Sequence, residues 1–106
     1  MNETNDMMKN AIVATQFMKS IANENRLLIL CLLAEKERSV SELEEILQLR
    51  QPSLSQQLAR LRTDDLVATR RDGKTIYYSL ASNEAKQVIE LLYNLFCANP
   101  DQVAAE

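Results

Sequence analysis

Gln51-Pro52-Ser53-Leu54-Ser55-Gln56-Gln57-Leu58-Ala59-Arg60-Leu61-Arg62 is the stretch that decides how the chain folds. Projected at about 100° per residue, Leu54, Leu58 and Leu61 fall on one narrow stripe, the signature of a helix packed on a core. Ser53, Gln56 and Arg60 fall together on the opposite side, with Gln57 beside them. Pro52 suits a first helical turn, because the N–H it lacks would have no partner there. A helix is therefore predicted from about Pro52 to about Asp64.

Upstream, Ser39-Val40-Ser41-Glu42 reads as a capping box that opens a short helix with Leu43, Ile46 and Leu47 on its inner side. A brief break at Gln48-Leu49-Arg50-Gln51 separates the two helices. Downstream, Val67–Arg71 and Lys74–Leu80 alternate as strands around Asp72-Gly73, a dipeptide that favours a two-residue hairpin turn.

The flanks are helical. Ile12, Val13, Phe17 and Ile21 recur at helical spacing between about Met8 and Ile21. Asn23 caps a second helix running to about Lys36, whose Leu27–Leu33 segment is apolar nearly all round and so should lie centrally. A last helix follows Ser82-Asn83 and ends near Cys97. The order is α-α-α-α-β-β-α, mainly α with a small β-hairpin, and a helix pair followed directly by a hairpin is a winged helix-turn-helix. Residues 1–106 form one domain, with 1–7 and 99–106 expected to fray, the latter because Asn99-Pro100 stops a helix.

Composition narrows the chemistry. The 106 residues carry a formal charge of −3, no His, one Gly and two Pro. Without His the commonest general base and metal ligand are both missing, and a lone Gly73 cannot build a phosphate-binding loop. No enzyme activity, metal or cofactor is expected. No apolar run approaches the roughly 18–20 residues that span a bilayer, and the acidic start lacks the basic and apolar regions of a signal peptide. No membrane partner is expected, and the chain reads as cytoplasmic.

Charge distribution says more than its sum. Residues 50–74 hold Arg50, Arg60, Arg62, Arg70, Arg71 and Lys74 against three aspartates, a local excess of positive charge in an acidic chain. Phosphate contacts dominate DNA affinity, so this excess on the second helix and hairpin is where a duplex would bind. Gln pairs bidentately with adenine, Arg with guanine, and Ser with either. Gln51, Ser53, Ser55, Gln56, Gln57 and Arg60 are thus the candidate reading residues on double-stranded operator DNA. Arg70, Arg71 and Lys74 of the hairpin would hold phosphates or probe the minor groove.

One such domain spans few base pairs, so a homodimer on an inverted repeat is expected. The last helix spreads its apolar side chains over roughly 160°, wider than one packing partner needs. Ile12, Val13 and Phe17 of the first helix, with Val88, Leu91, Leu92 and Leu95 of the last, are the candidate interface.

Over nearly its whole length the chain resembles the ArsR/SmtB family of small bacterial winged-helix repressors. The likeness rests on Ala22–Leu30, Ser39–Leu43, Gln51–Arg62 and Leu66-Val67. Gln57 stands where the family usually has His, a departure that bears on base preference. The family's metal-binding Cys-x-Cys would fall at Val40–Leu43, which has no cysteine, and its His-rich site cannot exist here. Cys31 in the second helix and Cys97 in the last match instead the dithiol subgroup that responds to reactive sulfur. That resemblance implies a persulfide or other reactive sulfur donor as inducer, a di- or polysulfide bridge within one protomer, and release of the operator.

Read without the family, Cys31 projects toward Glu24 and Glu35, and Cys97 toward Lys86, Glu90 and Asn94, away from the leucine stripe. A helix C-terminus and nearby carboxylates disfavour a thiolate, which speaks against a fast peroxide sensor or a thiol enzyme. A direct disulfide needs Cα atoms within roughly 7 Å, whereas packed helices sit about 8–10 Å apart, so a sulfur-lengthened bridge closes with less strain. Two other readings stay open: a DNA-binding or anti-silencing regulator whose cysteines are structural, and a protein-interaction module or small thiol oxidoreductase. The oxidoreductase would need a Cys-x-x-Cys or an activated thiol, and the chain has neither.

Overall fold

In the computed structural model, which describes residues 3–97, five helices frame a three-stranded antiparallel sheet. Helix α1 (Glu3–Ile21) precedes α2 (Glu24–Glu35), a two-residue β1 (Arg38–Ser39), α3 (Val40–Leu47) and α4 (Gln51–Thr63). The hairpin β2 (Val67–Asp72) and β3 (Thr75–Leu80) follows, then α5 (Asn83–Phe96). The winged helix-turn-helix order is the one predicted.

Local chemistry fixes each boundary. Asn23 Oδ1 accepts the Arg26 N–H at 3.0 Å and starts α2. Ser39 and Glu42 form the reciprocal capping box, each backbone N–H bonding the other's side chain at 3.1 Å. Ser82 caps α5 through the Ala85 N–H at 3.0 Å. With so little glycine, two breaks use other residues in left-handed backbone: Gln48 (φ 56°) ends α3 and Asp65 (φ 61°) turns the chain from α4 toward β2.

The core gathers Ile29, Leu30 and Leu33 of α2, Leu43 of α3, the Leu54–Leu58–Leu61 stripe of α4, and Ile89 of α5. The stripe read from sequence is buried as predicted, and α2 runs through the centre.

Several details differ from the sequence reading. Helix α1 begins at Glu3 rather than near Met8, with Asp6 placed in its first turn, where a carboxylate favours a helix N-terminus. Ile46 is 47% exposed rather than inward, because two turns of α3 present only Leu43 fully to the core, with Leu47 half-buried beside it. Strand β1 was not anticipated: Arg38 and Ser39 pair with Tyr78 and Tyr77 and place β3 in the middle of the sheet. The hairpin also turns one residue later, at Gly73-Lys74, since Asp72 pairs with Thr75. Only Gly73 there has positive φ (64°), the pattern of a type II′ turn, which wants glycine first. Residues 99–106, expected to fray, lie outside the described residues.

Candidate nucleic-acid interface and thiol pair

The leucine stripe that buries one side of α4 forces its other sides outward, and the outward residues are not equivalent. Gln51, Ser55, Gln56 and Arg60 are exposed, whereas Ser53 and Gln57 are half-buried. Gln51 and Ser55 lie on the flank facing the wing. There, with Arg62, Val40, Ile76 and Tyr78, they line an open cleft of about 560 Å³ between α4 and β3. Arg62 was not singled out as a site residue, although it lies seven residues after Ser55, two helical turns along the same flank.

On the other flank α4 is bolted to the first two helices. Ser20, buried near the end of α1, donates through Oγ to Asp64 Oδ2 at 2.5 Å, and Arg60 Nε donates to the same oxygen at 2.7 Å. The Ser20 hydroxyl, then Arg60, hold the Asp64 carboxyl below the ordinary aspartate range. Beside this cluster Arg26 Nη1 donates to Gln57 Oε1 at 3.0 Å. Gln57 is therefore part of the protein's own network rather than a free polar group.

The wing is tied down in its turn. Arg70 donates to both oxygens of Glu37, at 3.1 and 2.7 Å, and lies 4.6 Å from the Tyr77 ring centroid. This pairing lowers Glu37 and raises Arg70 from their ordinary pKa values. Of the six cations between residues 50 and 74, Arg60 and Arg70 are thus neutralised locally. Arg50, Arg62, Arg71 and Lys74 make no ion pair among the described residues. The positive surface left for an anionic partner is the cleft-side flank of α4 and the wing tip.

The two thiols lie on helices that pack on each other, Cys31 on α2 and Cys97 at the end of α5. Cys31 is half-buried against the core and Cys97, the C-cap of α5, is exposed; both are free. Burial pushes the Cys31 thiol pKa up, and Cys97 and Glu35 push it further the same way. The two sulfurs therefore sit within electrostatic reach of each other although 66 positions separate them in the chain. Among the described residues no group of three or more His, Cys, Asp or Glu could hold a metal ion, and no helix is long and apolar enough to cross a membrane.

Both end helices carry exposed apolar side chains. Ile12 and Val13 of α1 are 61% and 65% exposed, and Leu91 and Leu95 of α5 are 56% and 51%. Phe17, Val88 and Leu92 are half-buried behind them.

Comparison with known proteins gives a consistent result. Residues 23–69 match the family described as bacterial regulatory protein, arsR family. The chain is 50% identical over 92 residues to the transcriptional activator HlyU of Vibrio cholerae, covering 87% of this chain and 85% of that protein. The solved structure of reduced HlyU from V. cholerae N16961 superposes with a TM-score of 0.84 over 87% of this chain and 97% of that one. The transcriptional repressor BigR of Xylella fastidiosa superposes with a TM-score of 0.82 at 41% identity, over 92% and 96% of the two chains. A homodimeric winged helix-turn-helix DNA-binding domain from Mycobacterium bovis gives a TM-score of 0.72 at 26% identity, over 90% and 86%.

Proposed function

Since this chain belongs to the arsR family of bacterial transcriptional regulators, we propose that it is a repressor whose grip on its operator is released when reactive sulfur bridges Cys31 and Cys97. Two protomers join through the apolar faces of α1 and α5 and lay their α4 helices into successive major grooves of an inverted repeat. Gln56 and Arg60 on the exposed side of α4 read base edges, with Gln51, Ser53, Ser55 and Gln57 flanking them. Arg71 and Lys74 of the wing hold phosphates and set the register, with Arg70 beside them held back by its pairing to Glu37. The homodimeric solved relative supports the assembly, and the exposed apolar residues of α1 and α5 offer the surface for it.

The observation that supports the switch is the placement of the two thiols on packed helices, Cys31 on α2 and Cys97 at the C-cap of α5, with Cys97 near enough to help raise the Cys31 pKa. One cysteine takes the outer sulfur of a low-molecular-weight persulfide and releases the parent thiol, becoming itself a persulfide. Attack by the second cysteine on its inner sulfur closes a disulfide and expels hydrogen sulfide. The two thiols are oxidised by two electrons and the donor's sulfane sulfur is reduced to sulfide. If both cysteines are first persulfidated, condensation closes a trisulfide and again expels hydrogen sulfide. Because α5 carries part of the dimer face, tying it to α2 shifts the spacing of the two α4 helices. A coupling of about 1–3 kcal/mol changes DNA affinity roughly 5–150-fold.

The V. cholerae relative is named an activator and the X. fastidiosa relative a repressor. That contrast gives specific support to a second reading, in which the same binding displaces a silencer; where the operator lies then sets the sign. A gel shift on the DNA upstream of this protein's own gene, with intact mass measured before and after persulfide, tests the proposal. Release of DNA together with loss of two hydrogens, with or without added sulfur, supports it. A bridge that forms while affinity stays unchanged leaves the cysteines structural and overturns it.

A further inference from the structure

Arg26 is placed where its own helix has no use for it. It lies in the first turn of α2, three residues after the cap Asn23, and a cation there opposes the helix dipole. Its side chain leaves α2 altogether. Nε donates to the Ser20 carbonyl at 2.6 Å and Nη2 to the Lys19 carbonyl at 3.1 Å, both at the C-terminal end of α1, where a cation is welcome. The remaining nitrogen, Nη1, donates to Gln57 Oε1 at 3.0 Å. All three guanidinium nitrogens are thus engaged within the protein, and burial with the nearby Arg60 lowers the pKa of Arg26 from its ordinary value.

This contact settles which way the Gln57 amide faces. A guanidinium has only donors, so the oxygen must turn inward and Nε2 must turn away from Arg26. Nε2 makes no hydrogen bond among the described residues. Bidentate pairing with adenine requires a glutamine to present oxygen and nitrogen side by side, and here the oxygen is committed. Gln57 also sits on the half-buried flank of α4 toward α1 and α2, off the exposed side that carries Gln56. A flank donor of this kind meets the sugar–phosphate backbone at the groove edge, not the base edges on its floor.

We infer that Arg26 is a positioning residue for DNA binding: it holds Gln57 with its amide N–H outward, so that Gln57 donates to a phosphate oxygen and does not read a base. The inference rests on the proposed DNA-binding function and adds a division of labour within α4. Gln56 and Arg60 carry sequence information, and the Arg26–Gln57 pair carries register. Lysine cannot replace Arg26, because a single ammonium cannot bridge two α1 carbonyls and the Gln57 oxygen in the plane a guanidinium spans.

The test measures binding of the full-length wild type, Q57A, R26K, R26A and the R26K/Q57A double variant by fluorescence anisotropy. The probes are the protein's own upstream DNA and a random duplex of equal length, each over a salt series. Q57A and R26K are each expected to weaken both duplexes by the same factor, about fivefold to tenfold, and the double variant to be no weaker than either single one. The salt dependence of R26A should equal that of wild type, since Arg26 itself touches no phosphate. A slope shallower by about 0.9 in R26A would show a direct phosphate contact and overturn the positioning role. Selective weakening of the upstream duplex by Q57A, or additive effects in the double variant, would overturn it too. Should R26A fail to fold, Q57A and R26K still decide the matter through their non-additivity. Wild-type protein that binds neither duplex would instead overturn the proposed function, and this inference with it.

Discussion

Ser20 and Asp64, 44 residues apart, share a 2.5 Å hydrogen bond that fastens the end of α1 to the C-cap of α4. The helix offering an apolar face to a second protomer is therefore tied directly to the helix that faces DNA. Arg60, a candidate reading residue, shares the same carboxylate oxygen at 2.7 Å.

That bond makes acid stability a readout of the α1–α4 junction. The Asp64 carboxyl is held below its ordinary value, first by the Ser20 hydroxyl and then by Arg60. A group so lowered contributes stability above its unfolded pKa of about 3.9 and loses it as pH falls through the lower folded value. Urea unfolding of the wild type should therefore weaken more steeply below about pH 4 than unfolding of D64N, which lacks the titrating group. S20A should cost about 1 kcal/mol at neutral pH by removing one partly exposed hydrogen bond to a charge. Identical acid profiles for wild type and D64N would break the link.

Glu37 restrains the wing. Arg70 donates to both of its oxygens, so a phosphate must compete with a carboxylate already in place. E37Q should leave thermal stability essentially unchanged, because exposed ion pairs contribute little. It should also tighten binding to random duplex and steepen the salt dependence by about 0.9, one further phosphate contact. Unchanged slope in E37Q would mean that Arg70 stays with the protein.

The apolar faces of α1 and α5 yield a solution prediction. Ile12→Glu or Leu95→Glu changes only exposed positions of the single chain. Each should therefore keep its far-ultraviolet circular dichroism but sediment as a monomer. DNA affinity should fall at least about tenfold, since one half-site contact is lost along with the dimer. A dimer surviving both substitutions would move the interface elsewhere.

Gly73 supplies the positive φ at the wing tip, and a Cβ there would meet nothing within 4 Å. Gly73→Ala should thus cost only backbone strain, about 1 kcal/mol, without repacking. Thermal unfolding checks the size of the loss. Unchanged DNA affinity beside it would show that the wing's path is kept.

Periodicity made much of this legible from sequence alone. The Leu54–Leu58–Leu61 stripe and the Ser39–Glu42 capping box have local causes and appear where local chemistry puts them, while the hairpin turns one residue late, with Gly73 at the first turn position. Strand β1 was hidden because two residues carry no alternation and Ser39 serves both as strand and as cap. The pairings Arg26–Gln57, Ser20–Asp64 and Glu37–Arg70 were hidden for another reason. Each joins residues more than 30 positions apart, and a single helix projection shows which side a residue occupies but not what lies opposite. The local charge balance includes Asp64, the partner of Arg60, but not Glu37, which lies 33 positions before Arg70 and holds it.

The most direct test of the account is the Kd for the protein's own upstream duplex, measured on one preparation fully reduced and again after persulfide treatment, alongside C31S and C97S. The account predicts tight, sequence-preferring binding by all three reduced proteins, and at least about a fivefold loss on treatment in the wild type alone. Equal affinity of the wild type before and after treatment, with the bridge verified by mass, would contradict it.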